Sequence, residues 1–360
     1  MRRSRDYSRS ISPENCLKAQ TTIRFLSLDT PLRRYRNREF SKATPFLLAR
    51  CLRRLLLSFQ KTRIVEGRRI GTSSRQGHHC DRRRYWHRTG NRFDARGKGA
   101  RLIVNDSARD AADNVVDEIH SNGGAAFAEY SAVGTPASAS AITDAVASRF
   151  GRIDILVNNA GISRPAPFGQ DSDADIELVF AVNLLGPYSL MRRVWPMMIA
   201  QGGGTIVNTA SSAALGSGAS GAYAPSKAGI IGLTKEAAIA GEEYVIRVNA
   251  IMPSAWTTLL DKHPDESFRN WMQQHFPPRM VAAATTFLAS PQCDLNGQIL
   301  IVGGGYVSRL CFSIDAGITD KDLTPEALES NIDAIALGSP IRELMFQRDL
   351  QDVYFGLFPR

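Results

Sequence analysis

The chain is 360 residues long, with 44 Lys and Arg against 35 Asp and Glu and a formal net charge of +9. Residues 1–95 hold 24 basic and 7 acidic side chains, whereas residues 96–360 hold 20 and 28, so a basic arm precedes an acidic body. The five cysteines, Cys16, Cys51, Cys80, Cys293 and Cys311, are too scattered for a disulfide framework, a zinc knuckle or a redox dithiol.

In the arm, the run from Ala43 to Phe59 is mildly amphipathic, but Arg50, Arg53 and Arg54 interrupt it, so no transmembrane span is expected there. Its charge can attract nucleic acid or an anionic membrane surface. The arginines have no regular spacing, zinc-finger pattern or glycine-rich RNA-binding pattern, so the nucleic-acid signal is weak. An Arg-rich, acid-poor start also suits an organelle-targeting peptide, although Asp6, Glu14 and Asp29 arrive early. His78, His79, Cys80 and Asp81 look like a metal cluster, but Arg82, Arg83 and Arg84 oppose a divalent cation and no metal is expected.

From residue 99 the pattern becomes regular. Ala100–Asn105 reads as a buried strand ending at Asp106, followed by a helix over Ala111–Ser121 with a stripe of Val115, Val116 and Ile119. Strand Ala125–Tyr130, helix Ala139–Phe150 and strand Ile153–Val157 come next, the last closed by Asn158-Asn159-Ala160-Gly161. One long helix is expected from about Ala174 through Asn183 toward Met198, then strand Thr205–Asn208, helix Tyr223–Ala240 and strand Val245–Ile251. Helix Met280–Ala289, strand Gln298–Val302 and a turn at Gly303-Gly304-Gly305 end the series. This alternation predicts an α/β fold, a Rossmann-like doubly wound parallel sheet. Ligands of such sheets bind at the carboxyl ends of the strands, where Asp106, Asn158, Ser211 and Pro253 fall.

Tyr223 and Lys227 are four residues apart, one turn along a helix face. A nearby ammonium favours the phenolate, so Lys227 is expected to lower the pKa of Tyr223 toward use as an acid/base. Ser211 and Ser212 follow a buried strand and offer hydroxyls for a substrate carbonyl or alcohol. Together these residues suggest hydride transfer.

Six segments in order carry a resemblance: GARLIVND at 99–106, GRIDILVNNAG at 151–161, VNLLGPY at 182–188, GGTIVNTASS at 203–212, YAPSKAGIIGLT at 223–234 and IRVNAIMPSAWT at 246–257. Over residues 97–310 the chain resembles a short-chain dehydrogenase/reductase, most similar to the (3R)-hydroxyacyl-CoA dehydrogenase branch of multifunctional enzymes. The resemblance implies Tyr223 as general acid/base and Lys227 as the holder of the ribose hydroxyls. It implies Ser211 or Ser212 on the reacting oxygen and Asn183 as the anchor of a water linked to the lysine. Counting three residues on from Asn208 favours Ser211. The family spacing to the tyrosine is thirteen residues, and neither serine satisfies it. Implied cofactor contacts are Asp106, Asn158, Ala160, Gly161, Tyr223, Lys227 and Pro253. Asp106 would accept the adenosine-ribose hydroxyls and repel an NADP phosphate, which makes NAD the expected cofactor. Ser131 stands where relatives often have an aspartate near the adenine.

The family's glycine-rich phosphate loop is absent. Residues 81–90 read DRRRYWHRTG, where amides and a helix N-terminus should hold pyrophosphate. Asp81 through Gly90 can be encoded by the triplets GAC CGG CGC CGG TAT TGG CAC CGG ACG GGC; read one base later these would give Thr-Gly-Ala-Gly-Ile-Gly-Thr-Gly-Arg-Ala, the pattern of the missing loop. An out-of-frame segment over roughly 65–96 would explain both the arginine excess and a sheet without its normal first strand. The expected organisation is a basic, poorly structured region 1–95, a catalytic domain 96–310 and a C-terminal extension 311–360.

The expected function is NAD-dependent interconversion of a secondary alcohol and a ketone, with 3-hydroxyacyl thioesters as the substrate class. A homodimer or homotetramer in the cytoplasm is expected, or in an organelle matrix if the arm is a targeting peptide. A catalytically impaired oligomer partner and a nucleic-acid binder using the arm are the alternatives. Trp256, Trp271 and Phe276 suggest an apolar substrate portion, or core or dimer packing.

Overall fold

A computed structural model describes residues 23–27, 100–257, 265–340 and 342–357. The expectations placed on the metal-like cluster at 78–81, the amphipathic run at 43–59 and an out-of-frame segment at roughly 65–96 lie outside these residues.

Strand β1 is Ile23–Ser27; β2 (Arg101–Asn105), helix α1 (Arg109–Ser121), β3 (Ala125–Glu129), α2 (Pro136–Phe150) and β4 (Ile155–Asn158) follow. Next come α3 (Asp173–Phe180), a π-helical turn Ala181–Leu185, α4 (Gly186–Ala200), β5 (Gly204–Thr209), α5 (Tyr223–Ala240) and β6 (Ile246–Ser254). Helices α6 (Glu266–His275) and α7 (Pro278–Ala289) precede the hairpin β7 (Ile299–Gly303) and β8 (Tyr306–Arg309). The hairpin turns on Gly304 and Gly305, at φ +57° and +84°. Two successive positive φ values are the geometry that fits a tight turn to the twist of an antiparallel pair.

The sheet order is β3-β2-β1-β4-β5-β6-β7-β8. Pairs β2/β3, β4/β5, β5/β6 and β6/β7 are parallel. Alternate residues of the strands serve opposite faces, as a period of two requires. Leu102, Val104, Ile155 and Val157 pack with α1 and α7 through Val116, Ile119, Val281 and Leu288. Ile103 and Leu156 pack with α2, α4 and α5 through Ile142, Val146, Leu190, Val194 and Ala238. Helices therefore cover both faces of a doubly wound sheet, as expected.

The position expected to lack its strand is filled, with a reversed direction. Strand β1 runs antiparallel to both neighbours, with Ile23 opposite Asn105 and Asn158 and Leu26 opposite Leu102 and Ile155. Without it, β2 and β4 would face each other across two rows of unpaired backbone groups, which buried sheets do not tolerate. The segment from the basic arm satisfies those groups.

One helix was expected from about Ala174 toward Met198, and residues 173–200 are helical. They form two α-helices joined by the π-helical turn, a local widening that turns Asn183 fully inward. By length and composition this run is apolar enough to cross a bilayer. It instead buries Val182, Leu190, Met191, Val194 and Met198 in the protein core.

Beyond β8 the chain adds β9 (Phe312–Ile314), α8 (Pro325–Ser330), α9 (Ile332–Ala336), β10 (Arg342–Leu344) and α10 (Gln347–Leu357). Arg309 pairs with Glu343 at 2.7 Å. The Phe346 and Phe312 rings lie 5.5 and 5.7 Å from the ammonium of Lys235 on α5, so this tail rests on the back of the helix that begins with Tyr223.

Candidate active site

The carboxyl ends of β4 and β5 and the first turn of α5 converge on one cluster. At the end of β4, Asn158 Nδ2 donates to Asn208 Oδ1 at 2.8 Å, and Asn208 Nδ2 donates to Thr234 Oγ1 at 3.0 Å. This chain ties two strands to α5. Asn158 Oδ1 is buried and has no partner.

From the π-helical turn, Asn183 clamps the backbone of Ile162 from both sides. Its Nδ2 donates to Ile162 O and its Oδ1 accepts from Ile162 N, each at 2.9 Å. The same Nδ2 donates to Ser226 Oγ at 3.2 Å, and Ser226 Oγ donates to Tyr223 O at 2.7 Å. Asn183 is thus joined to the turn that carries Tyr223 through a serine that sequence reasoning did not single out. Its place between Tyr223 and Lys227 was the available signal.

Lys227 is 3 % exposed, and its Nζ donates to Thr209 O at 2.7 Å. Burial lowers its pKa to about 8, because an ammonium loses hydration there. Its Nζ lies 5.8 Å from the centroid of the Tyr223 ring. Tyr223 is half-buried; burial pushes the phenol up, and a hydrogen bond with Ser211 partly opposes this. The expectation that Lys227 would lower the phenol is therefore corrected. The ammonium is directed at Thr209 O, and loss of water around the phenolate outweighs the help from Ser211. Of the two candidate serines, Ser211 is brought to Tyr223, while Ser212 is exposed at the start of a short helical turn. Ser211 Oγ also accepts from Ala213 N at 3.2 Å.

The remaining candidates line the same edge. Ala160 is buried, and a Cβ added at Gly161 would lie 3.4 Å from both Asn183 Oδ1 and Lys227 Nζ. Asp106 follows β2, is buried, and accepts from Ala108 N at 2.9 Å through Oδ1. Pro253 lies near the end of β6, paired with Val302. Ser131 donates its hydroxyl to Glu129 Oε1 at 2.6 Å, and Asn105 Nδ2 donates to the other oxygen of the same carboxylate. Trp271 packs against Phe276, with centroids 4.8 Å apart, and keeps about half its surface exposed.

A family model described as Enoyl-(Acyl carrier protein) reductase matches residues 94–307. The chain is 34% identical over 245 residues to Peroxisomal multifunctional enzyme A of Dictyostelium discoideum, covering 65% of this chain and 54% of that protein. A solved short chain dehydrogenase from Mycobacterium avium aligns with a TM-score of 0.59 at 30% identity, over 69% of this chain and 90% of the other. A 7 alpha-hydroxysteroid dehydrogenase complexed with NADH and 7-oxo glycochenodeoxycholic acid aligns with a TM-score of 0.53 at 36% identity, over 56% and 83%. The chain spans about half or less of the length of the multifunctional relatives. The cytoplasmic location expected above is overturned. Multifunctional relatives from Dictyostelium, Mus musculus, Neurospora crassa and Saccharomyces cerevisiae are all named peroxisomal, which favours an organelle matrix.

Proposed function

The chain belongs to the short-chain dehydrogenase/reductase family, and from that premise we propose that it interconverts a secondary alcohol and a ketone using NAD. The observation that carries this reading is the gathering of Ser211, the Tyr223 phenol and the buried ammonium of Lys227, which lies 5.8 Å from the phenol ring.

The residues present fit the two ribose ends of a dinucleotide. Lys227 has three donors and uses one on Thr209 O, so two can meet ribose hydroxyls. Gly161 has no side chain to fill the space before Lys227 and Asn183. The unpartnered Asn158 Oδ1 offers an acceptor at the same edge. The Asp106 carboxylate would accept the adenosine-ribose hydroxyls and oppose the extra phosphate of NADP, which favours NAD.

NAD, when bound, supplies the hydride acceptor for the carbinol carbon. The protein's own groups handle the oxygen and its proton. Ser211 holds the substrate oxygen, and Tyr223 Oη takes the hydroxyl proton in oxidation or returns it to the carbonyl in reduction. The raised phenol keeps its proton at neutral pH, which suits reduction; oxidation needs the phenolate and gains as pH rises. Asn183, through Ser226, holds the backbone under Tyr223 in place. The substrate class is a 3-hydroxyacyl thioester, supported by the similarity to multifunctional enzymes. We place the protein in an organelle matrix as a homodimer or homotetramer.

A version with the glycine-rich frame restored over residues 65–96 tests this. It should reduce NAD while oxidising a 3-hydroxyacyl thioester, and Tyr223→Phe should cut turnover by roughly 10²–10⁴-fold with the fold intact. Unchanged turnover in the purified variant would remove Tyr223 from the chemistry.

A second reading rests on the sequence of residues 81–90. The chain keeps the sheet and the proposed catalytic residues but its sequence lacks the glycine-rich pattern of the pyrophosphate loop, and so it is an impaired member of the family.

A further inference from the structure

Helix α5 starts at the residue proposed to move the proton, yet its own sequence provides no cap. The N-cap position is Ala222, whose side chain cannot accept a hydrogen bond from the first turn. The amide of the N-cap residue itself is held from a distant part of the chain: Ala222 N donates to Asp171 Oδ1 at 2.9 Å. The neighbouring backbone is shaped for this approach. Gly221 sits at φ +52°, and a Cβ added there would run into the Asp171 carboxylate, 2.8 Å from Cγ.

Asp171 immediately precedes Ser172, which caps α3 through Asp175 N at 3.1 Å. Asn183 follows α3 in the π-helical turn and reaches Ser226 on α5. Residues on both sides of α3 therefore grip the first turn of α5, one at its start and one a turn later. Between them Val179, Val182, Ile162 and Ala222 form a small apolar cluster with the Tyr223 ring packed against it. A carboxylate at a helix N-terminus is also favoured by the helix dipole.

We infer that Asp171 is a positioning residue for Tyr223: its carboxylate holds the N-cap amide of α5 from outside the helix and fixes the turn from which the phenol reaches Ser211. The inference rests on the proposed role of Tyr223, but the contact it describes exists without cofactor or substrate. It also gives residues 162–171 a mechanical link to the site, because any movement of Asp171 changes the footing of Tyr223.

The test uses the full 360-residue chain and needs no turnover. Amide exchange at Ala222 and Tyr223 is measured together with the [13Cζ]tyrosine resonance of Tyr223, identified by its loss in Tyr223→Phe. Asp171→Ala should speed exchange at these amides roughly five- to tenfold, the scale of a lost hydrogen bond, and shift the Tyr223 resonance. Asp171→Asn keeps an acceptor oxygen and should bring both readings close to the wild type. Gly221→Ala should reproduce Asp171→Ala, because the new Cβ displaces the carboxylate. If Asp171→Ala does not fold, the other two variants decide. An unmoved Tyr223 resonance in Asp171→Ala or Gly221→Ala overturns the inference, and so does Asp171→Asn behaving like the alanine variant. If these responses appear while a frame-restored chain fails to reduce NAD, the proposed function falls and the positioning role stands.

Discussion

Replacing Lys227 by Met tests the energetic reading of the site. The folded protein holds this ammonium at a pKa of about 8 against an ordinary value of 10.5, with burial as the cause. The folded pKa is depressed, so the unfolded chain binds more protons between about pH 8 and 10.5, and stability rises with pH across that window. Below it the buried charge costs about 3 kcal/mol, the free energy that separates the folded from the ordinary value. A methionine at this position would have no charge to desolvate, but Thr209 O would lose its donor, at a cost of about 1–3 kcal/mol. The two terms nearly offset at neutral pH, so a single comparison there is uninformative. The dependence on pH is not offset, because the lost hydrogen bond is common to all conditions. Urea unfolding of both proteins should show the wild type gaining about 2 kcal/mol relative to Lys227→Met between pH 7 and 10. Parallel stability profiles over that range would refute the claim that the ammonium is held against its hydration.

Two further outcomes follow from the same geometry. Ser211→Ala leaves burial of the Tyr223 phenol unopposed, so alcohol oxidation by a frame-restored chain should shift to higher pH; an unchanged pH–rate profile would separate Ser211 from the phenol. Calorimetry of NAD with the full 360-residue chain should show no one-to-one binding in the micromolar range, since the sequence of residues 81–90 has no glycine-rich phosphate-loop pattern; micromolar binding would show that arginines can replace it.

The fold was legible because each strand of the body is a short apolar run bounded by turn residues, and the Tyr223–Lys227 pair because helix geometry alone puts residues four apart on one face. Contacts made across the fold were not legible. Asp171 and Ala222 are separated by 51 residues, as are Asn158 and Asn208 by 50, and no local pattern announces either. The π-helical turn was hidden because Ala181–Leu185 is as helix-forming as its flanks; only packing against Ile162 turns Asn183 inward. The direction of the Tyr223 shift was misread for a related reason. Spacing revealed the nearby charge but not how deeply the phenol and the ammonium are buried, and burial decides the sign.

The reversed central strand bears directly on cofactor binding. In a doubly wound sheet, phosphate is held by the turn that leaves the carboxyl end of a parallel first strand and enters the next helix. Here the chain enters β1 at Ile23, beside Asn105 and Asn158, and leaves at Ser27, opposite Arg101. The carboxyl end of β1 at Ser27 therefore lies at the edge opposite Asp106, about 16 Å away for five residues at 3.3 Å each. Backbone pairing is indifferent to this reversal, since either direction satisfies the rows of donors and acceptors on β2 and β4. Phosphate binding is not indifferent, because it needs amides at one edge only. Because β1 runs antiparallel, its carboxyl end does not lie at the edge where Asp106 and Asn158 end their strands. Restoring the glycine-rich frame should recover NAD binding only if the restored segment displaces Ile23–Ser27 and takes its place in the parallel direction.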